Sequence, residues 1–198
     1  KLIPALVCGN TVVIKSGEDV PLSTINLVKA CEEAGIPKGV VNIVNGFAEP
    51  GKALVEHKDV RLISFTGSTE TGRIIAEKCA ATNKIVSLEM GGKNALIIDS
   101  DADLDEAVDA VLYSAVGFAG QKCSAASRCY IPSNLWEDVK KYLLADLNSM
   151  KMGPTEDFGN FINAVIDEKA FKSITGYIEK ARQNPMAFET PSSCEYEI

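Results

Sequence analysis

Residues 62–88 read LISFTGSTETGRIIAEKCAATNKIVSL and contain a complete strand–helix–strand unit. The apolar run from Leu62 to Phe65 predicts a buried strand, and the run from Ile85 to Leu88 predicts a second one. Between them, Thr71 to Ala80 has the spacing of a helix. A strand, a helix and a second strand in this order form the βαβ unit from which parallel sheets are built. This stretch therefore predicts an α/β fold.

The same alternation continues on both sides of this unit. Two adjacent glycines, Gly91 and Gly92, interrupt it, and they allow the backbone to bend sharply. We therefore expect two domains, residues 1–90 and residues 91–198. The other predicted strands are residues 11–15, 40–44, 95–98 and 128–131, and the other predicted helices are residues 21–34, part of 46–58, 104–116, 135–147 and 168–182.

Composition limits the classes of function open to this chain. Its 198 residues are 46% apolar and 24% charged, as in ordinary globular proteins. The net charge of −7 predicts a surface that repels phosphate backbones, so nucleic acid is not expected as a partner. No apolar run reaches the ~18 residues of a membrane span, so a membrane is not expected as a partner either.

The cysteines and the single histidine constrain the setting of the chain. None of the six cysteines forms a Cys-x-x-Cys pair and His57 is the only histidine, so we expect no metal site. Several cysteines lie in apolar periodic stretches, which is typical of buried free thiols. This usage predicts a reducing, cytoplasmic location, or the mitochondrial matrix in a eukaryote. Lys1 lies inside a predicted helix and residues 188–198 have no clear periodicity, so we interpret the sequence as a fragment.

The turn FTGSTETG, residues 65–72, joins a predicted strand to a predicted helix. Gly67 allows a tight turn, and Gly72 allows the helix to pack close to the sheet. The first amides of the helix, together with the Ser68 hydroxyl, could bind a pyrophosphate. The spacing differs from the G-x-G-x-x-G fingerprint, and a glycine turn with a helix cap is the alternative.

Lys15 and Glu18 follow directly after the first predicted strand. In parallel sheets, the crevice at the carboxyl ends of the strands is where ligands bind. A carboxylate in that crevice can accept both hydroxyls of an adenosine ribose and would repel a 2′-phosphate. A solvated turn is the alternative for this Lys-x-x-Glu pair.

Two further side chains have the chemistry of catalysis. Glu89 leaves an apolar strand and enters a glycine turn, which suits a general base if the turn faces a cleft. Cys123 lies in a polar, glycine-flanked loop beside Lys122, whose charge favours the thiolate. An exposed loop glutamate and an incidental loop thiol are the alternatives. His57 lies in another unit, so a Cys–His dyad is poorly supported.

Taken together, the blocks K-x-x-E, FTGSTETG, LEMGGK and GQKCSA make the chain similar to the aldehyde dehydrogenase family, from residue 1 to about residue 182. The resemblance implies a Rossmann-like dinucleotide-binding domain in residues 1–90. It implies the first part of an α/β catalytic domain, with the reactive thiol, in residues 91–198. The parent enzyme is then expected to be a homo-oligomer that oxidises a small-molecule aldehyde.

The resemblance also assigns roles to residues. Cys123 is implied as the nucleophile and Glu89 as the general base, so that the aldehyde passes through a cysteine thiohemiacetal and a thioester to the carboxylic acid. NAD is the expected cofactor and NADP is less favoured, because Glu18 would repel a 2′-phosphate. The residues expected to contact the cofactor are Lys15, Glu18, Gly46, Gly67 and Ser68.

A finer resemblance concerns the substrate. Residues 117–128 and 157–171 are similar to the branch of the family that oxidises glutamate γ-semialdehyde, also called 1-pyrroline-5-carboxylate in its cyclic form, during proline degradation. Ser124 stands where that branch has a serine that helps to hold the α-carboxylate of the substrate. Ser124 is therefore the expected substrate-binding residue.

The chain also departs from the family pattern. The oxyanion-hole asparagine, the Glu-x-Phe-Gly-Pro block that holds the nicotinamide ribose and the oligomerisation segment have no counterpart in this sequence. An inactive, truncated dinucleotide-binding remnant is therefore one alternative, and another aldehyde dehydrogenase of the family is a second. A cysteine acyl-transfer enzyme without redox chemistry is a third, and the nucleotide-binding half argues against it.

Overall fold

The computed structural model describes residues 1–184, so the aperiodic residues 188–198 lie outside the described part. The chain divides into two compact units, the first spanning Lys1–Met90 and the second beginning at Gly91. Each unit alternates strands with helices. The α/β fold class is therefore confirmed.

The elements lie close to where the periodicity of the sequence places them, with bounds that differ by at most two residues. Short apolar runs with β-branched residues form the strands, and stretches with helical spacing form the helices. The strands are β1 (Val12–Lys15), β2 (Val41–Val44), β3 (Leu62–Thr66), β4 (Ile85–Glu89), β5 (Asn94–Ile97) and β6 (Ala126–Tyr130). The helices are α1 (Leu2–Val7), α2 (Pro21–Glu33), α3 (Ala48–Glu56), α4 (Thr69–Ala81), α5 (Leu104–Val116), α6 (Trp136–Ser149) and α7 (Glu168–Arg182).

Local signals explain where the main helices begin. Pro21 occupies the first turn of α2, where its missing N–H costs no hydrogen bond. The side chains of Ser68, Asp103 and Asp167 cap α4, α5 and α7, each accepting a backbone N–H of the first turn. Gly35, at a φ of +84°, follows α2 and reverses the chain in a conformation that suits glycine.

The strands pair in parallel in three two-stranded sheets, β1 with β2, β3 with β4, and β5 with β6. In the first unit, Lys15 lies opposite Val44 and Thr66 lies opposite Glu89. Because the strands of each pair are parallel, their carboxyl ends lie at the same edge. Each pair therefore brings two of the predicted site segments side by side.

Each unit has its own apolar core. In the first unit, α3 and α4 cover the β3–β4 pair and bury Val55, Ile75 and Cys79, the last with no exposed surface. In the second unit, α5 and α6 pack against β5 and β6. The buried residues of this second core are Ile98, Val108, Val111, Leu112 and Val139.

Residues 1–184 contain neither a helix that could span a membrane nor a cluster of side chains that could hold a metal ion. None of the helices within residues 1–184 is both long enough and apolar enough to span a bilayer. In the same residues, no group of three or more histidine, cysteine, aspartate or glutamate side chains could hold a metal ion.

Candidate active site

The carboxyl ends of β1 and β2 hold three of the predicted cofactor residues. The Lys15 Nζ lies 2.9 Å from the Glu18 Oε2, and the Glu18 side chain remains 46% exposed. Next to Lys15 in the chain, the buried Ser16 donates its hydroxyl hydrogen to the Asn45 Oδ1 at 2.7 Å. This hydrogen bond ties the turn after β1 to the turn after β2, where Gly46 lies. Lys15, Glu18 and Gly46 therefore share one edge.

Gly46 has a backbone conformation that only glycine adopts readily. Its φ is +139°, and a Cβ at this position would lie 2.9 Å from the Pro50 Cγ in the first turn of α3. The conformation lets the chain pass from β2 into α3 at this edge. A side chain at Gly46 would therefore disturb the start of α3.

Gly67 and Ser68 form the turn between β3 and α4. The Ser68 hydroxyl accepts the Thr71 N–H at 3.1 Å and contacts the Thr71 Oγ1 at 2.9 Å, so it serves as the cap of α4. The cap satisfies one of the free amides of the first turn and leaves the Thr69 and Glu70 N–H groups without an acceptor inside the helix. An anion at this helix end would meet those two donors.

Glu89 ends β4 beside this turn. The Gly67 N–H donates to the Glu89 carbonyl oxygen at 3.1 Å, and Glu89 is the register partner of Thr66. The Glu89 side chain is exposed, and among residues 1–184 no donor contacts its carboxylate. The backbone of Glu89 is therefore fixed next to the turn of the predicted pyrophosphate site, while its side chain is exposed.

Cys123 occupies a β-turn in the second unit. The Ala125 N–H donates to the Lys122 carbonyl oxygen at 3.1 Å, which makes Cys123 and Ser124 the two central residues of the turn. Both are exposed. Within residues 91–184, no acceptor takes the N–H of Cys123 or of Ser124. The turn therefore presents a thiol together with two free backbone donors.

The segment before this turn has an unusual backbone. Phe118, Ala119 and Gly120 have φ values of 59°, 54° and 69° in the short turn Gly117–Gly120. The left-handed conformation costs about 1–2 kcal/mol for each residue with a side chain.

The Lys122 ammonium lies 3.7 Å from the position of a Cβ on Gly117, at the carboxyl end of α5, where the helix dipole favours a cation.

Nothing in the sequence indicated that two residues, Asn94 and Gly92, lie against the Cys123 turn. The Asn94 Nδ2 donates to the Cys123 carbonyl oxygen at 2.7 Å and to the Ala125 carbonyl oxygen at 3.2 Å. A Cβ on Gly92 would lie 2.6 Å from the same Cys123 oxygen. The two adjacent glycines indicated only a bend, because the close approach to Cys123 depends on a contact 31 residues away in the chain.

We expect Gly92→Ala to destabilise the purified protein by about 1–3 kcal/mol, because the new methyl group must displace the backbone of the Cys123 turn. Gly91→Ala is the matched control, since a Cβ at Gly91 meets no atom within 4 Å. The measurement is the midpoint of denaturant unfolding. Equal midpoints for the two variants would contradict the close approach of Gly92 to the Cys123 turn.

The other described cysteines lie outside the Lys122–Ala125 turn, and Cys31 is half-buried on α2. Cys79 is fully buried in the core of the first unit. Burial raises the pKa of the Cys129 thiol, which lies on β6, and so disfavours its thiolate. Cys8 is exposed at the end of α1, outside the predicted site segments. Cys123 is therefore the described cysteine whose surroundings best suit a nucleophile.

The sequence matches the aldehyde dehydrogenase family over residues 1–196. It is 42% identical over 184 residues to 1-pyrroline-5-carboxylate dehydrogenase 1 of Halalkalibacterium halodurans, an alignment that covers 89% of this chain and 36% of the relative. It is also 42% identical over 181 residues to the mitochondrial aldehyde dehydrogenase of Leishmania tarentolae, with 90% of this chain and 36% of the relative covered. The chain thus spans about a third of the length of these relatives.

Solved structures agree with the sequence matches. Proline utilization A from Bdellovibrio bacteriovorus has a TM-score of 0.87 at 42% identity, covering 91% of this chain and 20% of its own. An NADP-dependent enzyme of E. coli has a TM-score of 0.88 at 39% identity, and the match covers 92% of this chain and 38% of the enzyme. Betaine aldehyde dehydrogenase from Staphylococcus aureus in complex with NAD⁺ has a TM-score of 0.87 at 36% identity, and the match covers 91% of this chain and 36% of that dehydrogenase. The chain belongs to the aldehyde dehydrogenase family.

Proposed function

We propose that the full-length enzyme containing this chain oxidises an aldehyde to a carboxylic acid with NAD, using Cys123 as the nucleophile and Glu89 as the general base. The observation that carries the proposal is the exposed Cys123 thiol at the centre of a β-turn whose two central N–H groups are free. Residues 1–90 are the dinucleotide-binding domain and residues 91–198 belong to the catalytic domain in this proposal.

The residues of the first unit fit a bound dinucleotide. The exposed Glu18 carboxylate suits the hydroxyls of a ribose, and its ion pair with Lys15 holds it at the strand edge. The amides of Thr69 and Glu70 at the start of α4 suit a pyrophosphate, with Gly67 and Ser68 forming the turn that leads to them. When bound, the nicotinamide supplies the hydride acceptor.

The choice between NAD and NADP depends on Glu18. A 2′-phosphate near this carboxylate would meet like charge, so NAD is the proposed cofactor. Lys15 neutralises part of that charge through its 2.9 Å ion pair. NADP is the second choice for this reason, and both an NAD⁺ complex and an NADP-dependent enzyme occur among the similar structures.

The chemistry begins at the Cys123 sulfur. The thiolate forms a C–S bond with the aldehyde carbon, and the carbonyl oxygen becomes an alkoxide that the free N–H groups of Cys123 and Ser124 stabilise. Collapse of the alkoxide restores the C=O bond, and the aldehyde hydrogen would leave as hydride, for which a dinucleotide held by Lys15, Glu18, Gly46, Gly67 and Ser68 would supply the acceptor. The oxidised product of this step is a thioester on Cys123.

Glu89 then completes the turnover. Its carboxylate accepts a proton from water, and the resulting hydroxide adds to the thioester carbon. The C–S bond breaks, the thiolate of Cys123 leaves, and the acid is released. The balance is one aldehyde, one NAD⁺ and one water converted to one carboxylic acid, one NADH and one proton, which Glu89 releases to solvent.

We further propose glutamate γ-semialdehyde as the substrate. The relative from H. halodurans is named a 1-pyrroline-5-carboxylate dehydrogenase, and this chain is 42% identical to it. Ser124 is adjacent to the nucleophile and exposed, and its side chain makes no hydrogen bond to any residue from 1 to 184. That hydroxyl is therefore available to the α-carboxylate of an amino-acid semialdehyde.

The test compares two aldehydes in the full-length enzyme. We expect the wild type to reduce NAD with glutamate γ-semialdehyde, and Ser124→Ala to raise the KM for this substrate about 10- to 100-fold, the effect of one hydrogen bond to a charged group. Steady-state NADH formation measures both. Propionaldehyde is the control, because it has no carboxylate and its KM should not change.

Two outcomes separate the parts of this proposal. Equal KM changes for both aldehydes would remove Ser124 from carboxylate recognition while leaving the oxidation itself intact. Failure of the wild type to reduce NAD or NADP with any aldehyde would remove the proposed function as a whole.

A further inference from the structure

One side chain bridges two carbonyl groups of the Cys123 turn. The Asn94 carboxamide donates to the Cys123 oxygen at 2.7 Å and to the Ala125 oxygen at 3.2 Å. The first oxygen belongs to the Cys123–Ser124 peptide and the second to the Ala125–Ala126 peptide, so a single amide group bonds to the peptide units on either side of the Ser124–Ala125 peptide. The Lys122–Ala125 turn is therefore closed by its own hydrogen bond and held by Asn94 from outside.

The position of Asn94 in its strand explains why it can reach the turn. β5 pairs with β6 through Asn94 opposite Ala126 and Ala95 opposite Arg128, so Ser127 has no register partner. This β-bulge ends the regular ladder beside the turn, and bulges commonly re-aim a side chain in this way. The Asn94 side chain continues the hydrogen bonding where the backbone ladder stops.

We propose that Asn94 is a positioning residue for the nucleophile, an inference that rests on the proposed function of Cys123. In a trans peptide the C=O and N–H groups point in opposite directions. Because the Cys123 oxygen points toward Asn94, the Ser124 N–H in the same peptide points away from it. Asn94 thereby sets the direction of one of the two donors proposed for the alkoxide.

We expect the Asn94 hydrogen bonds to affect the alignment of the Lys122–Ala125 turn more than the free energy of unfolding of the protein. Asn94 and Cys123 are both exposed, so water can replace the amide at the two carbonyl groups if the side chain is lost. The two carbonyl groups then remain hydrogen-bonded, to water, but the Lys122–Ala125 turn is no longer held in one orientation. Misplacement of a reacting group by about 1 Å can lower a rate ~10²-fold.

The first experiment compares Asn94→Leu with Asn163→Leu in the full-length enzyme. Asn163 is the matched control, because its amide also donates to a backbone carbonyl, that of Gly153 at 3.0 Å, in the same unit. We expect Asn94→Leu to lower kcat by about 10- to 100-fold, with the KM for NAD within about 2-fold of wild type. Asn163→Leu should retain the wild-type kcat.

A second pair of variants tests the donor itself. Asn94→Asp keeps the size of the side chain but replaces the N–H donors with oxygen, and we expect it to lose as much kcat as Asn94→Leu. Asn94→Gln keeps the donors on a longer side chain, and we expect it to recover part of the lost kcat. Equal activity of the Asp and Gln variants would overturn the proposal, and so would equal activity of Asn94→Leu and Asn163→Leu.

Thiol labelling shows whether a variant is folded. Iodoacetamide needs no aligned donor, so we expect alkylation of Cys123 in Asn94→Leu to stay within about 3-fold of wild type although kcat falls. Cys8 is the exposed reference thiol, and the half-buried Cys129 on β6, in the same unit as Asn94, becomes more reactive when that unit unfolds. If Cys129 of Asn94→Leu were labelled faster than in the wild type, the Asp and Gln variants would decide the question.

Cys123→Ala distinguishes the role of Asn94 from the proposed function of Cys123. If Cys123→Ala retained oxidation, Cys123 would not be the nucleophile and the proposed function would fail first. If Cys123→Ala were inactive while Asn94→Leu matched its control, the nucleophile would stand and only the role of Asn94 would be overturned.

Discussion

Replacing Cys123 with alanine is expected to lower kcat for aldehyde oxidation by about 10⁴-fold or more in the full-length enzyme, since removal of a nucleophile leaves only binding and alignment. The thiol is the atom that forms the C–S bond, and no other described cysteine lies in the Lys122–Ala125 turn. NADH formation under saturating aldehyde and NAD measures the loss.

The control for this variant is Cys8→Ala, which removes another exposed thiol of the same chain. We expect it to retain wild-type kcat. Binding of NAD, followed by fluorescence titration, should be unchanged in both variants, because Cys123 lies outside the unit proposed to bind the dinucleotide. Retention of oxidation by Cys123→Ala would remove this residue as the nucleophile.

The periodicity of the sequence was sufficient to place the secondary structure. The helix spacing of residues 104–116 and 168–182 predicts α5 and α7 with the bounds that the structure shows. Periodicity does not identify the neighbour of a strand, however, because parallel pairing depends on where each crossover returns. The separation of the β1–β2 pair from the β3–β4 pair could not be predicted for this reason.

The sequence indicates the side chains proposed for the chemistry more directly than the residues that contact them. Cys123 was distinguishable because it lies in a polar, glycine-rich loop, and the structure places it exposed in a turn. The charge of Lys122 is expected to favour the thiolate, and its ammonium lies 3.7 Å from the position of a Cβ on Gly117. Asn94 gave no signal, because its two hydrogen bonds depend on the bulge between β5 and β6. Contacts such as those of Asn94 depend on which strands pair and in which register, and neither can be read from the sequence around Asn94.

Replacing Glu89 with glutamine is expected to stop turnover after the first hydride transfer. The amide cannot accept a proton from water at neutral pH, so the thioester on Cys123 should accumulate, and steady-state oxidation should fall by about 10²- to 10⁴-fold. The backbone contact from the Gly67 N–H to the Glu89 carbonyl oxygen, at 3.1 Å, does not involve the changed group. The fold of the β3–β4 pair should therefore be preserved.

Stopped-flow detection of NADH and mass spectrometry of the Cys123 peptide together measure this effect. We expect a burst of one NADH per active site, followed by a slow phase, with an acyl group on Cys123 during that phase. Glu77→Gln is the control, because Glu77 is an exposed glutamate on α4 of the same unit, and it should turn over normally. A Glu89→Gln enzyme with neither burst nor acyl group would assign Glu89 to an earlier step, because water activation for hydrolysis is needed only after the thioester has formed.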